Sequence, residues 1–156
     1  MTAPKKSELT RSRILTEGRA LVLASGFGGL GLTELLTASG VPKGSFYYYF
    51  ASKEAFGCAM LSDYVIDYLA ALDAIIARPE PAAQRLDSFF SAALGGEAGS
   101  MADRCLVVKL AAEIADLSED MRAILDQGVT AVCDRLAALL RAGIEDGSIT
   151  PQADPG

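Results

Sequence analysis

The chain has 156 residues, 51% of them hydrophobic, a net charge of −6 and no histidine. That length fits one domain, or a small head on a larger body, with enough apolar residues for a sizeable core. The missing histidine removes Ser-His and Cys-His catalysis and makes most zinc sites implausible, while Cys58, Cys105 and Cys133 are too few and too widely spaced for a disulfide framework or a CxxC site.

No apolar run approaches the roughly 20 residues needed to cross a bilayer. The segment Met1 to Ser12 lacks the apolar core of a secretory signal. A cytoplasmic protein without a membrane partner is expected. The acidic residues lie at helical spacing among solvent-type positions, and there is no phosphate-binding loop, so an enzyme is disfavoured and neither cofactor nor metal is expected. The charge is lopsided. Residues 1–53 hold seven Lys/Arg and three Asp/Glu, a net of +4; residues 54–156 hold seven and seventeen, a net of −10. Attraction to phosphate depends on the local patch rather than the average, so a basic head on an acidic body remains compatible with nucleic acid. The alternative is chance clustering on a solvated surface.

The pattern is helical throughout, and the fold class is all-α. Ser7 is a cap for a first helix running to about Ser25, with Ile14, Leu15, Gly18, Leu21, Val22 and Ser25 on one stripe. Gly26 supplies the left-handed backbone of a helix end. A glycine-rich connection, Phe27 to Gly31, leads to a short second helix over Leu32 to Ser39, stopped by Gly40. Val41-Pro42 cannot continue a helix but suits the start of the next. Leu32 to Phe50 therefore has the spacing of a helix-turn-helix. Ser52 caps a long fourth helix, with Glu54 in its first turn where the dipole favours an acid, running to about Ala77. Pro79 and Pro81 break it, and Pro81 opens a fifth helix that ends at Gly95-Gly96. A flexible link spans Gly95 to Ser100. A sixth helix is expected over about Met101 to Ala115, and a seventh, capped by Ser118, to about Asp146 before Gly147. Ser148 to Gly156 reads as a loose tail. The domains are a head over 1–51, a helical body over 52–147 and the tail 148–156.

The stretch "PKGSFYYYFASK", residues 42–53, holds three of the five tyrosines in a row. On a helical wheel of about 100° per residue, Phe46 and Phe50 share the core face. Gly44, Ser45 and Tyr48 face away, Tyr47 and Tyr49 sit on the shoulders, and the Lys43 stem can swing outward. Glycine lets the helix start approach a base edge, serine can bond bases or phosphates, and tyrosines offer hydroxyls to phosphates and rings to sugars and thymine methyls. Lys53, at the next helix start, adds a cation beside a positive dipole end. The alternative is that the tyrosines pad the junction between helices.

"TRSRIL" followed by "GFGGLGLTELLTASGVPKGSFYYYFASKEAF" resembles the DNA-binding head of the TetR family of bacterial transcriptional regulators. The resemblance covers about residues 8–60, with the glycine turn, Lys-Gly, the aromatic run, Phe50 and Ser52-Lys53-Glu54 in register. "RCLVVKLAAEIADLSEDMR", residues 104–122, resembles a branch whose members include regulators responding to reactive electrophiles and small unsaturated acids. The resemblance implies an all-helical homodimer whose third helices enter successive major grooves of a palindromic operator in double-stranded DNA. Helices four to seven would enclose the pocket of a small-molecule inducer. By motif position, Lys43, Gly44, Ser45, Tyr47, Tyr48 and Tyr49 would lie on DNA, with Lys53 and Thr33 on phosphate. The chain departs from the pattern in two places. Leu30-Gly31 stands where a capping Thr or Ser is usual. The family's last two helices, which form its dimer bundle, are expected to be missing after Gly156, leaving apolar faces of helices six and seven open to association.

In the body, Cys105 lies near the start of the sixth helix with Arg104 adjacent and Lys109 one turn on. A helix start beside cations is the setting that favours a reactive thiolate, as an oxidant or electrophile sensor needs. The alternative is an inert thiol packed with Leu106, Val107 and Val108. Cys58 and Cys133 read as core. Tyr64, Tyr68, Phe89 and Phe90 are candidates to line a pocket, although an aromatic stripe at helical spacing also suits a core. The leading function is a ligand-responsive repressor. The second is a helical ligand-binding or interaction module that has lost effective operator binding.

Overall fold

The computed structural model describes residues 5–94, 105–111, 113 and 116–151. Among these residues there are seven helices and no strand: α1 (Lys6–Ser25), α2 (Leu32–Ser39), α3 (Lys43–Tyr49), α4 (Lys53–Ile76), α5 (Ala82–Leu94), α6 (Leu106–Ala111) and α7 (Glu119–Glu145). The expected link, Gly95 to Ser100, and the expected first residues of the sixth helix, Met101 to Arg104, lie outside the described residues. No helix among the described residues is long and apolar enough to cross a membrane.

Local chemistry explains most boundaries. Helix α1 starts one residue before Ser7, because Glu8 rather than Ser7 completes the cap: its carboxylate accepts the Lys5 N–H at 2.8 Å. Gly26 (φ 79°) and Gly40 (φ 62°) end α1 and α2 in the positive-φ region that only glycine enters freely. The Ser52 and Ser118 hydroxyls accept the N–H groups of Ala55 and Met121, capping α4 and α7. The N-terminus of α5 is capped from far along the chain. Asp146 accepts the Ala82 N–H at 3.0 Å, and the Ser148 hydroxyl accepts the Ala83 N–H at 3.1 Å. This corrects the expectation of a loose tail from Ser148. The Ile149 N–H bonds to the Gly143 carbonyl at 2.9 Å and its side chain packs beside Ala82, Leu86 and Leu139, so Ser148 and Ile149 are docked.

The main core runs through head and body without a break. Ile14, Leu15 and Val22 of α1, Leu35 of α2, Phe46 of α3, Phe56, Met60 and Leu61 of α4, Leu106 and Leu110 of α6, and Met121 and Leu125 of α7 belong to one cluster. Phe27 is the join. A side chain on Gly57 would lie 2.8 Å from both the Phe27 ring and the Met121 sulfur. Glycine at 57 therefore lets the first interhelical loop wedge between α4 and α7. A smaller cluster of Ala82, Leu86 and Leu139 holds α5 against α7 at the far end.

Candidate functional site

Helix α3 is two-faced. Phe46 and Phe50 are buried and pack with Phe56, with ring centroids 6.0 and 5.3 Å from it. Tyr48 is 76% exposed and Tyr47 50% exposed. Lys43 and Gly44 are exposed, Ser45 is half-buried, and no atom would meet a side chain at Gly44 within 4 Å. Tyr49 is partly buried on the core and stacks edge-on against Tyr48 at 5.0 Å. Thr33, in the first turn of α2, is exposed. The Lys53 ammonium rests 5.0 Å from the centroid of the Phe27 ring, and the Arg11 guanidinium 5.3 Å from that of Phe50. The result is an unobstructed strip with donors, flat rings and a cation, presented by a buried phenylalanine pair.

A second feature lies in the body. Helices α4, α6 and α7 border a cavity of about 150 Å³, open to solvent on one side and lined by Tyr64, Val65, Tyr68, Leu69, Cys105, Val107, Gly128, Val129, Val132 and Cys133. Among the described residues no charged side chain lines it. The Tyr64 hydroxyl donates to the Cys105 sulfur at 3.3 Å. Burial, and then the bond to Cys105, pushes the Tyr64 phenol above its ordinary pKa, so it remains a protonated donor. Burial also raises Tyr68. On its other side, the Tyr64 ring carries Arg19 of α1 at 5.5 Å, and that guanidinium reaches Asp67 of α4 at 2.8 Å.

The structure thus brings together Tyr64, Tyr68 and Cys105 from the sequence candidates. Phe89 and Phe90 do not line the cavity. Phe89 is buried and Phe90 exposed on α5, which packs near the opposite end of α4 and α7. Lys109 does not line it either; its N–H bonds to the Cys105 carbonyl, but no hydrogen bond joins its side chain to the Cys105 thiol. Arg104 lies outside the described residues. Cys133, read as core, is exposed and stands on the cavity wall, because the α7 face that carries it borders the open cavity rather than the packed core. Cys58 is partly buried against the core, and burial raises its thiol pKa. Gly128, on the cavity wall, is not among the sequence candidates, although its place carries a signal. A glycine inside a long helix signals close packing, and a side chain there would come within 2.8 Å of Val65.

Residues 14–56 match the bacterial regulatory proteins of the TetR family, and residues 82–156 match the tetracyclin repressor-like C-terminal domain. The chain is 41% identical over 149 residues to the HTH-type transcriptional repressor NemR of Escherichia coli strain K12, covering 94% of this chain and 74% of that one. It is 33% identical over 155 residues to the transcriptional regulator AcuR of Cereibacter sphaeroides, covering 98% and 70%. The crystal structure of the reduced form of E. coli NemR superposes with a TM-score of 0.84 at 42% identity, covering 94% of this chain and 76% of that one. A two-faced third helix, a matched head and body, and relatives of this kind lead to one conclusion: the chain belongs to the TetR family of bacterial regulatory proteins and is a ligand-responsive, DNA-binding transcriptional regulator.

Proposed function

We propose that this regulator is a homodimeric repressor of a palindromic operator, released when a small uncharged electrophile enters the cavity and adds to Cys105. The observation that carries the reading is the Cys105 thiol, held by the Tyr64 hydroxyl and opening into an apolar cavity between α4, α6 and α7. A volume of about 150 Å³ is that of an engineered apolar cavity known to bind benzene. Among the described residues the wall carries no charge, which favours a neutral ring or short enone over a charged acid. Addition needs no oxidant. Sulfur bonds to the β-carbon of an unsaturated carbonyl, the π pair moves to the carbonyl oxygen, and the thiol proton ends on the α-carbon. That a solved relative is described as a reduced form is in keeping with a thiol-based response.

On the DNA side, Lys43, Gly44, Ser45, Tyr47, Tyr48 and Tyr49 would meet bases and backbone, with Thr33 and Lys53 on phosphates. Lys53 would have to leave the Phe27 ring to do so. Heads about 34 Å apart fit adjacent turns of one groove face; other spacings do not. The test is a mobility-shift assay on an operator fragment recovered from genomic DNA, with and without cyclopent-2-enone. The wild type should lose about tenfold or more in affinity on modification, and Cys105→Ser should stay bound. Full release of Cys105→Ser would remove the thiol from the mechanism.

A further inference from the structure

Beyond the cavity, α6 makes a second polar attachment. Glu113, just past its end, reaches back to the loop between α1 and α2. One carboxylate oxygen, Oε2, accepts the Gly28 N–H at 2.8 Å. The loop is shaped to receive it. A side chain on Gly26 would strike the Glu113 carboxylate, and one on Gly28 would lie 3.3 Å from Oε2. Glu113 is itself fixed by its backbone, its N–H on the Leu110 carbonyl at 3.0 Å and its carbonyl taking the Asp116 N–H at 2.8 Å. Between the two loop glycines, Phe27 is buried in the core that α4 and α7 share. Helix α6 is therefore a short rod, about 9 Å long at 1.5 Å per residue, with Leu106 and Leu110 fully buried. Cys105 attaches its beginning to Tyr64 at the cavity. Glu113 attaches its end to the loop that introduces α2 and α3.

We propose that Glu113 is a positioning residue that carries cavity occupancy to the DNA-binding head. With the cavity empty, the carboxylate holds the Phe27-Gly28 loop, and α2 and α3 with it, in the operator-binding pose. An adduct on Cys105 displaces the Tyr64 hydroxyl, shifts α6 along its rod axis and withdraws the carboxylate from Gly28. Among the described residues, the Glu113 carboxylate makes the one side-chain hydrogen bond from α6 and its flanking residues to the head. The inference rests on the reading of Cys105 as the inducer's target.

The full chain is compared with Glu113→Ala, which cuts the latch, and Glu113→Gln, whose amide oxygen still accepts from Gly28. Peptide mass mapping follows the fraction of Cys105 modified by cyclopent-2-enone. Operator affinity and hydrogen exchange at the Gly28 amide are read before and after. In the wild type, modification should speed Gly28 exchange and weaken operator binding by about tenfold. In Glu113→Ala, Gly28 should exchange fast from the outset, and modification should change operator affinity by less than about twofold. Glu113→Gln should restore most of the wild-type ratio. A full wild-type loss of affinity in Glu113→Ala at complete Cys105 modification would overturn the proposal, as would unchanged Gly28 exchange in the modified wild type. If Gly28 exchange rises in the wild type while operator affinity holds, the latch opens without governing operator binding, and the proposal and the inducer reading of Cys105 fall together; a loss of about tenfold in affinity with unchanged Gly28 exchange removes the latch alone and leaves the inducer reading standing.

Discussion

Tyr48 projects into solvent from a helix whose opposite face is fixed by Phe46 and Phe50, so its hydroxyl can be removed without touching the core. Tyr48→Phe should leave thermal stability within about 0.5 kcal/mol of wild type. It should weaken operator binding by about 1.5–3 kcal/mol, the range for a hydrogen bond to a charged group. Paired melting and mobility-shift measurements check both, and unchanged affinity would take this hydroxyl off the DNA. Gly57 is the inverse case, a residue that matters for the space it leaves. An added methyl would press on Phe27 and Met121 at once. Gly57→Ala should cost about 1–3 kcal/mol by overpacking, measurable as a lower urea midpoint. No contact of Gly57 could be read from sequence, since the partners lie 30 and 64 residues away and meet only in the folded chain.

At the scale of elements, helix ends set by neighbouring residues were legible. Gly26, Gly40, Ser52 and Ser118 are local devices, and the observed boundaries of α1 to α4 and α7 follow them within about two residues. The outward face of α3 was legible for the same reason, because seven consecutive residues contain their own periodicity. What sequence missed is non-local. The cap of α5 comes from Asp146 and Ser148, and the cavity joins α4 and α7 through Gly128, Val129 and Cys133. Phe89 and Phe90 have the right chemistry for a pocket but ride on a helix that packs elsewhere. The α5 cap has a pH signature. The Ser148 bonds, and then the Ala82 N–H, hold the Asp146 carboxyl below its ordinary pKa. A lowered folded value means that the stabilisation is fully present above the ordinary carboxylate range and is lost as pH falls through the lowered value. Amide exchange at Ala82 and Ser148, corrected for intrinsic pH dependence, should therefore show lost protection in acid. Asp146→Asn should lack that acid-dependent step.

For the whole molecule, opposite charge on head and body predicts steep salt dependence of DNA binding, carried by the head. The slope of log affinity against log salt should approach about −0.9 per phosphate neutralised, and Lys43→Ala should reduce it by about one unit. A flat salt response would favour an interaction module over an operator-binding repressor. The continuous core predicts cooperative unfolding, with aromatic signals from the head and amide protection in α7 lost together.

Phe27 seated against Gly57 and Met121 also bears on engineering. A biosensor assembled by grafting a foreign head onto this body would break that fit unless the residues at 27, 57 and 121 travelled as a set. Changing the promoter it addresses is simpler. Positions 43, 44, 47 and 48 of the proposed DNA face are exposed to solvent, so substitutions aimed at a new DNA preference can be tried there while the remainder of the molecule is left as it is.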